Sequence, residues 1–205
     1  MYKNFHLKHF GQWAPALFDG FILELMPPCG LHLILANHRY LWGFMYDVVN
    51  KRKMDQNIPA ALKKIGCGYL AYQMEQYFNS KKKFYDGSKS LKMIGNDCRL
   101  LEENIDAFLN RQSGETLESP SARKLRQVLT LYKDFGELAR DVRSTTGDVE
   151  RIKSFTARAE RYFKKFTSNA SNSMLQRLPY LHLLRMHIGK IMVKHYELFG
   201  WCYGV

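Results

Sequence analysis

Between residues 31 and 198 apolar side chains recur at steps of three and four, and no stretch alternates over the length of a strand, so helix is the regular structure this chain can form. The most regular stretch follows Ser119-Pro120, a cap and a proline in their preferred order at a helix start. There Leu125, Val128 or Leu129, Tyr132, Phe135 or Gly136, Leu138 or Ala139, and Val142 keep one face. Upstream, Pro27-Pro28 imposes an extended approach to a helix over 31–50. Its apolar stripe reads Leu31, Leu35, Tyr40 or Arg39, Trp42, Met45 or Tyr46, and Val49, closed by Lys51-Arg-Lys53 against the terminal carbonyls. Asn57-Ile-Pro59 opens a second helix through Leu62, Ile65 and Tyr69 to Phe78, which Gly66 and Gly68 weaken by about 1 kcal/mol each. A third starts at Ser88 and carries Leu91, Ile94, Cys98, Leu101, Ile105 and Phe108.

After a break at Thr146-Gly-Asp148, Ile152, Phe155, Ala159, Tyr162, Phe163 and Phe166 form the apolar side of a strongly basic helix. Residues 168–173 read as a solvated linker, and a last helix over 180–198 places Leu184, Ile188, Ile191 and Met192 on one stripe. The expected fold is all-α: a single domain of about six helices, with an approach segment (1–28), a helical body (29–178) and a closing helix and turn (179–205).

With 205 residues, 46% of them hydrophobic, the chain can bury a real core and belongs to the globular class. No apolar run is long enough to cross a bilayer, since residues 20–26 are interrupted by Glu24 and ended by prolines. Met-Tyr-Lys-Asn-Phe-His is no secretory signal. Cys29, Cys67, Cys98 and Cys202 stand apart without a Cys-x2-Cys pair, and are read as reduced, buried thiols of an intracellular protein, nuclear in a eukaryote. His6 and His9 sit three apart with no further donors spaced to join them.

Charge narrows the partners. Lys and Arg outnumber Asp and Glu by 31 to 19, a net +12. Residues 1–100 hold 14 bases and 7 acids, 101–150 hold 7 and 10, and 151–205 hold 10 and 2. Such a surface attracts polyanions by releasing counterions from phosphates. The basic helix supplies Arg151, Lys153, Arg158, Arg161, Lys164 and Lys165 as the expected DNA-binding residues, tolerant of sequence and sensitive to salt. No phosphate-binding glycine loop, nucleophile elbow or His-Glu-x2-His pair occurs, and Glu102-Glu103-x2-Asp106 reads as a solvated face, so no enzyme is expected.

Two stretches carry a family likeness. Tyr180-Leu-His182, His187 and the turn Gly200-Trp-Cys-Tyr-Gly204 form one; Pro28-Cys-Gly-Leu-His-Leu33 forms the other. Both resemble the ribonuclease H-like DDE transposases related to the V(D)J recombinase catalytic subunit and the Transib transposases, while the middle of the chain matches only as helices of similar order. The resemblance implies the helical insertion domain of such an enzyme. The family's two catalytic Asp would precede this chain and its Glu would fall just beyond Val205. Two-metal phosphoryl transfer needs those carboxylates, so a non-catalytic fragment that binds DNA is implied.

The resemblance also implies zinc at His182 and His187, completed in the family by a Cys-x2-Cys pair that is missing here. On an ideal helix five residues place the two rings about 140° apart, so they converge only where the helix begins or distorts after Pro179. A closed zinc site takes four donors, and well under one zinc per chain is expected. The partners implied are DNA and, in a synaptic assembly, further copies of this chain as a homo-oligomer; no membrane is expected. Two alternatives stand beside this reading: a nucleic-acid-binding module without transposase ancestry, and a basic helical protein-interaction module, with no nucleic-acid role, whose 14% aromatic content builds an interface.

Overall fold

The computed structural model describes residues 29–51, 58–79, 92–113, 122–144, 149–169 and 179–200. Among them lie seven helices and no strand: α1 Gly30–Lys51, α2 Ile58–Lys64, α3 Gly68–Asn79, α4 Gly95–Ser113, α5 Arg123–Arg143, α6 Val149–Asn169, and α7, which joins Pro179–Leu183, Leu184–Ile188 and Gly189–Phe199. The all-α expectation holds. The approach segment 1–28 with His6 and His9, the starts expected at Ser88 and Ser119-Pro120, the break at Thr146-Gly-Asp148, and Trp201 to Val205 with Cys202 lie outside the described residues.

Seven helices replace six because the expected second helix stops at Gly66. Its φ of +85° is left-handed, where glycine carries no Cβ penalty. The Cys67 N–H then bonds back to the Leu62 carbonyl at 2.9 Å and the Gly66 N–H to Lys63 at 3.1 Å, the pair of reversed bonds that closes a helix at a left-handed residue. Asp97, buried on α4, receives the Leu70 N–H at 2.7 Å and so satisfies the first turn of α3 from another helix.

The sequence stripe of α1 is also corrected. Leu31 is 40% exposed, whereas Leu33, Ile34, Ala36, Asn37, His38, Leu41, Trp42 and Met45 are all buried. A helix buried on most of its circumference has no single stripe to read: α1 packs on α4, α5 and the start of α7. Its Asn37 Nδ2 donates to Leu33 O at 2.9 Å and to Tyr180 O at 3.4 Å, tying it to α7. Around it the aromatic contacts Trp42–Phe108 (6.0 Å between centroids), Phe135–Tyr162 (5.6 Å) and Tyr162–Phe166 (6.1 Å) run through one continuous core. The periodicity of α5, α6 and α7 is as read, with Val128, not Leu129, turned inward. α6 extends to Asn169, so Ser168 and Asn169 are helix and not linker; the Asn169 Nδ2 holds the Lys165 carbonyl at 2.7 Å. Cys67 and Cys98 are buried as expected, and Cys29 is exposed.

Candidate nucleic-acid interface

The six bases expected to bind DNA all lie on α6, and the fold divides them. Arg151, Arg158 and Lys165 fall seven residues apart, on the flank that faces α5. Asp141 of α5, buried, accepts Arg151 Nη2 at 2.8 Å and also Arg158 Nη2. Arg158 donates further to the Arg151 carbonyl at 2.8 Å, and Lys165 Nζ lies 2.6 Å from Asp134 Oδ2. These are ties between helices. Lys153, Arg161 and Lys164 turn to solvent; Lys153 and Lys164 make only long contacts with Glu150 (3.5 Å) and Glu160 (3.6 Å) on their own helix, which at such exposure are worth little.

Two bases that the sequence reading left out, Arg123 and Arg126 of α5, lie along the same pair of helices. Asp141 meets Arg158 and Arg151, Asp134 meets Lys165, and Arg123 and Arg126 share a cleft with Lys165 and Asn169. Partner numbers fall along α6 as they rise along α5, so the two helices are antiparallel. Lys165 is level with the middle of α5 at Asp134, and Arg123 and Arg126 from the beginning of α5 reach the same cleft as Lys165 and Asn169 near the end of α6. No acid occupies the first turn of α5. Cations at a helix N-terminus oppose its dipole, at about 0.3–1 kcal/mol each, so this placement does not serve the helix. Proteins break such local rules at some functional sites and offset the cost elsewhere. The signal was present in Arg123-Lys-Leu-Arg126, but only the antiparallel pairing shows that it adds to the basic end of α6.

His182 and His187 are both exposed and are brought together, with Nε2 to Nε2 at 3.4 Å. The cause is the wide turn Leu184–Ile188, which bonds each residue to the fifth beyond it and so carries the second ring back over the first. This is the distortion after Pro179 that convergence requires. The pair supplies two donors of the four in a closed zinc site, and among the described residues no group of three or more His, Cys, Asp or Glu is placed to hold a metal ion. Among the described residues, His182 and His187 alone do not complete the zinc site implied by the resemblance. Arg185, on the same turn, stacks 4.2 Å over Phe163 and forks onto Glu160 of α6, its Nη2 lying 3.2 Å from Oε1.

The acidic run of α4 needs correction. Glu103 and Asp106 are exposed, as a solvated face requires. Glu102 instead turns inward: its carboxylate receives His38 Nε2 at 2.6 Å and both Arg143 terminal nitrogens at 2.8 and 3.0 Å. An ionised carboxylate only accepts, so Nε2 of the wholly buried His38 carries the proton and Nδ1 is left bare. Burial lowers the His38 pKa against the opposing pull of Glu102. For Glu102, burial raises the pKa, and the bonds from His38 and Arg143 outweigh it, so the carboxyl sits below its ordinary range. Beside this triad a cleft of about 420 Å³ is lined by Arg99, Lys133, Arg140 and Arg143 and by Glu102, Glu103 and Glu137. Four bases and three acids nearly cancel, so it has no strong preference for an anion.

No helix among the described residues is long and apolar enough to cross a membrane. Compared with protein-family models, curated proteins and solved structures, the chain matches none, and the transposase resemblance rests on the residues quoted for it.

Proposed function

We propose that this chain is a non-catalytic, helical DNA-binding module, the role implied by its resemblance to the insertion domain of a transposase. The observation that supports the reading is the basic cleft that Arg123 and Arg126 of α5 share with Lys165 of α6, with no acid in the first turn of α5 and with Lys124, Arg161 and Lys164 exposed on the same two helices. Phosphates of a duplex take such charges whatever the base sequence, and each contact made releases counterions. Binding is therefore tolerant of sequence and weakens steeply with salt.

Fluorescence anisotropy of the full chain with a labelled duplex, over a salt series, tests this. Replacing Arg123, Lys124 and Lys164 by Gln lowers the slope of log affinity on log salt by about 2–3 units, at about 0.9 per phosphate contact. Binding that ignores salt, or a variant with the parent slope, would remove the hairpin end from any DNA interface. Anionic vesicles and an acidic peptide serve as competitors; a preference for either over duplex would move the basic end to a membrane surface or to a protein partner.

A further inference from the structure

Two short helices, α2 of seven residues and α3 of twelve, are joined by only three residues, Ile65 to Cys67. The chain turns there at Gly66, whose φ is +85°. α2 and α3 pack on each other, and α4 packs on both. Lys63 Nζ near the end of α2 lies 2.6 Å from Glu75 Oε1 of α3, a further tie across the turn. A short helix, a three-residue turn at a glycine and a second helix, backed by a third, is the arrangement of a helix-turn-helix, which lays its second helix in the major groove.

The sequence of α3 divides it into two faces. Leu70, Ala71 and Met74 are buried, as is Cys67 just before them. Tyr69, Tyr72, Gln73 and Gln76 fall at steps of three and four on the opposite side. Tyr69 is 40% exposed, Tyr72 is 56% exposed and Gln76 is exposed as well. Two aromatic side chains kept in water one turn apart forgo the burial that stabilises a helical domain, and a partner that covers them restores it. Gly68, at the start of α3, is exposed, and a Cβ at that position would meet no described atom within 4 Å, so another backbone can approach closely.

The charge beside this face is positive. Gln73 Nε2 donates to the Lys92 carbonyl at 2.6 Å, and its Oε1 accepts the Lys92 N–H at 2.8 Å. That clamp holds the exposed Lys92 next to α3. Lys64, at the end of α2, is exposed too, while Glu75, the acid of α3, is already answered by Lys63. What remains for an approaching partner favours a polyanion over a second copy of this +12 chain.

We propose that α2, its turn and α3 are a helix-turn-helix that sets α3 in the major groove of duplex DNA. Lys64 and Lys92 take the flanking phosphates, and Tyr69, Tyr72 and Gln76 face base edges. A glutamine amide there pairs with adenine through N6 and N7, and an aromatic ring meets the thymine methyl. The inference rests on the DNA-binding reading and goes beyond it: the bases of α5 and α6 hold any duplex, whereas α3 prefers one sequence.

Duplexes selected by the full chain from a random library test this, with affinities then measured by anisotropy at fixed salt. An enriched motif containing A·T pairs binds about tenfold tighter than its shuffled sequence, the scale of one bidentate base contact. Tyr72→Ala with Gln76→Ala removes that preference and keeps the parent circular dichroism spectrum. It also keeps the parent salt slope, because base contacts release no phosphate counterions. Replacing the adenines of the motif by the analogue that lacks N7, which alters the major groove and leaves the minor groove intact, weakens the parent and not the double variant. Selection without an enriched motif, or a preference that survives either change, would overturn the helix-turn-helix while salt-dependent binding by α5 and α6 stands. No duplex binding at any salt removes the DNA reading and this inference together. A parent with twice the mass of the double variant in light scattering assigns the tyrosine face to a second copy of the chain and overturns the groove.

Discussion

Arg158 and Arg161 stand one turn apart on α6 and belong to different regions of the molecule. Arg158 has a side chain only 16% exposed, shares Asp141 with Arg151 and lies 5.8 Å over the Phe155 ring. Arg161 faces water, beside Lys164 at 74% exposure. The inner flank spends its charge on holding α5 to α6, and the outer face leaves its charge to whatever approaches. A net charge of +12 thus contains two populations that composition cannot separate. Only the outer one contributes fully to the field that a polyanion meets.

The contrast is broken most forcefully at the deepest inward pair. Glu102→Ala leaves the buried His38 donor unpaired and strands the partly exposed Arg143, which costs about 3 kcal/mol. Urea unfolding of the variant shows this as a lowered midpoint. Arg161→Gln with Lys164→Gln, outside any such network, stays within about 0.5 kcal/mol of the parent. Similar losses in the two variants would mean that the outer bases are structural as well.

This distinction was partly legible beforehand. The helices of the hairpin were, because a half-buried helix repeats its apolar positions at 3.6 residues and α5 and α6 each have one buried face. α1 was not, because a helix packed on three sides carries apolar residues all round. Gly66 was visible as a weakness but not as a stop, since a left-handed residue is recognised only by the reversed hydrogen bonds around it. Among charges, Glu102 and Glu103 are adjacent and chemically alike, yet 100° of helix rotation sends one to His38 and the other to water. Three residues separate Arg158 from Arg161, about 60° short of a full turn, and that difference sends one toward α5 and the other to water. Spacing gives the relative angle of two side chains; which direction is inward depends on the partner helix. The His182–His187 approach shows a further limit, because it depends on a local widening of the helix that no periodicity announces.

Acid sharpens the comparison without mutation. The folded-state pKa of His38 is lowered by burial, so below 6.5 the unfolded chain binds a proton that the folded chain refuses, and stability falls as pH drops. Glu102 is also held low in the folded state, by His38 and Arg143 against the desolvation that raises it. Its contribution is present above 4.5 and is lost as pH falls through its folded value. Both signs agree for this pair: its contribution is full near neutrality, falls in a first step below pH 6.5 and in a second below pH 4.5, while Asp97, raised by burial, works in the opposite sense in acid. Urea midpoints measured across that range check it. His38→Gln removes the first step, and a variant that retained it would assign the titration to another histidine.

The smallest effect on stability separates the two populations by function. Gln at Lys153, Arg161 and Lys164 leaves the unfolding midpoint nearly unchanged, because the first and last make only long, exposed contacts within α6. The same triple variant reduces the salt slope of duplex binding by about 2–3 units. Gln at Arg151 and Arg158 does the reverse. Asp141 then stays buried with neither guanidinium beside it, so unfolding comes at lower urea by about 2 kcal/mol of lost charge-assisted hydrogen bonding, while the slope on the residual folded protein is that of the parent. Paired measurement of midpoint and slope on the two variants therefore places each base in one population or the other. A slope lowered equally by both would mean that the Asp141 pairs open when DNA binds, so that the inner flank is a reserve of charge for the outer face.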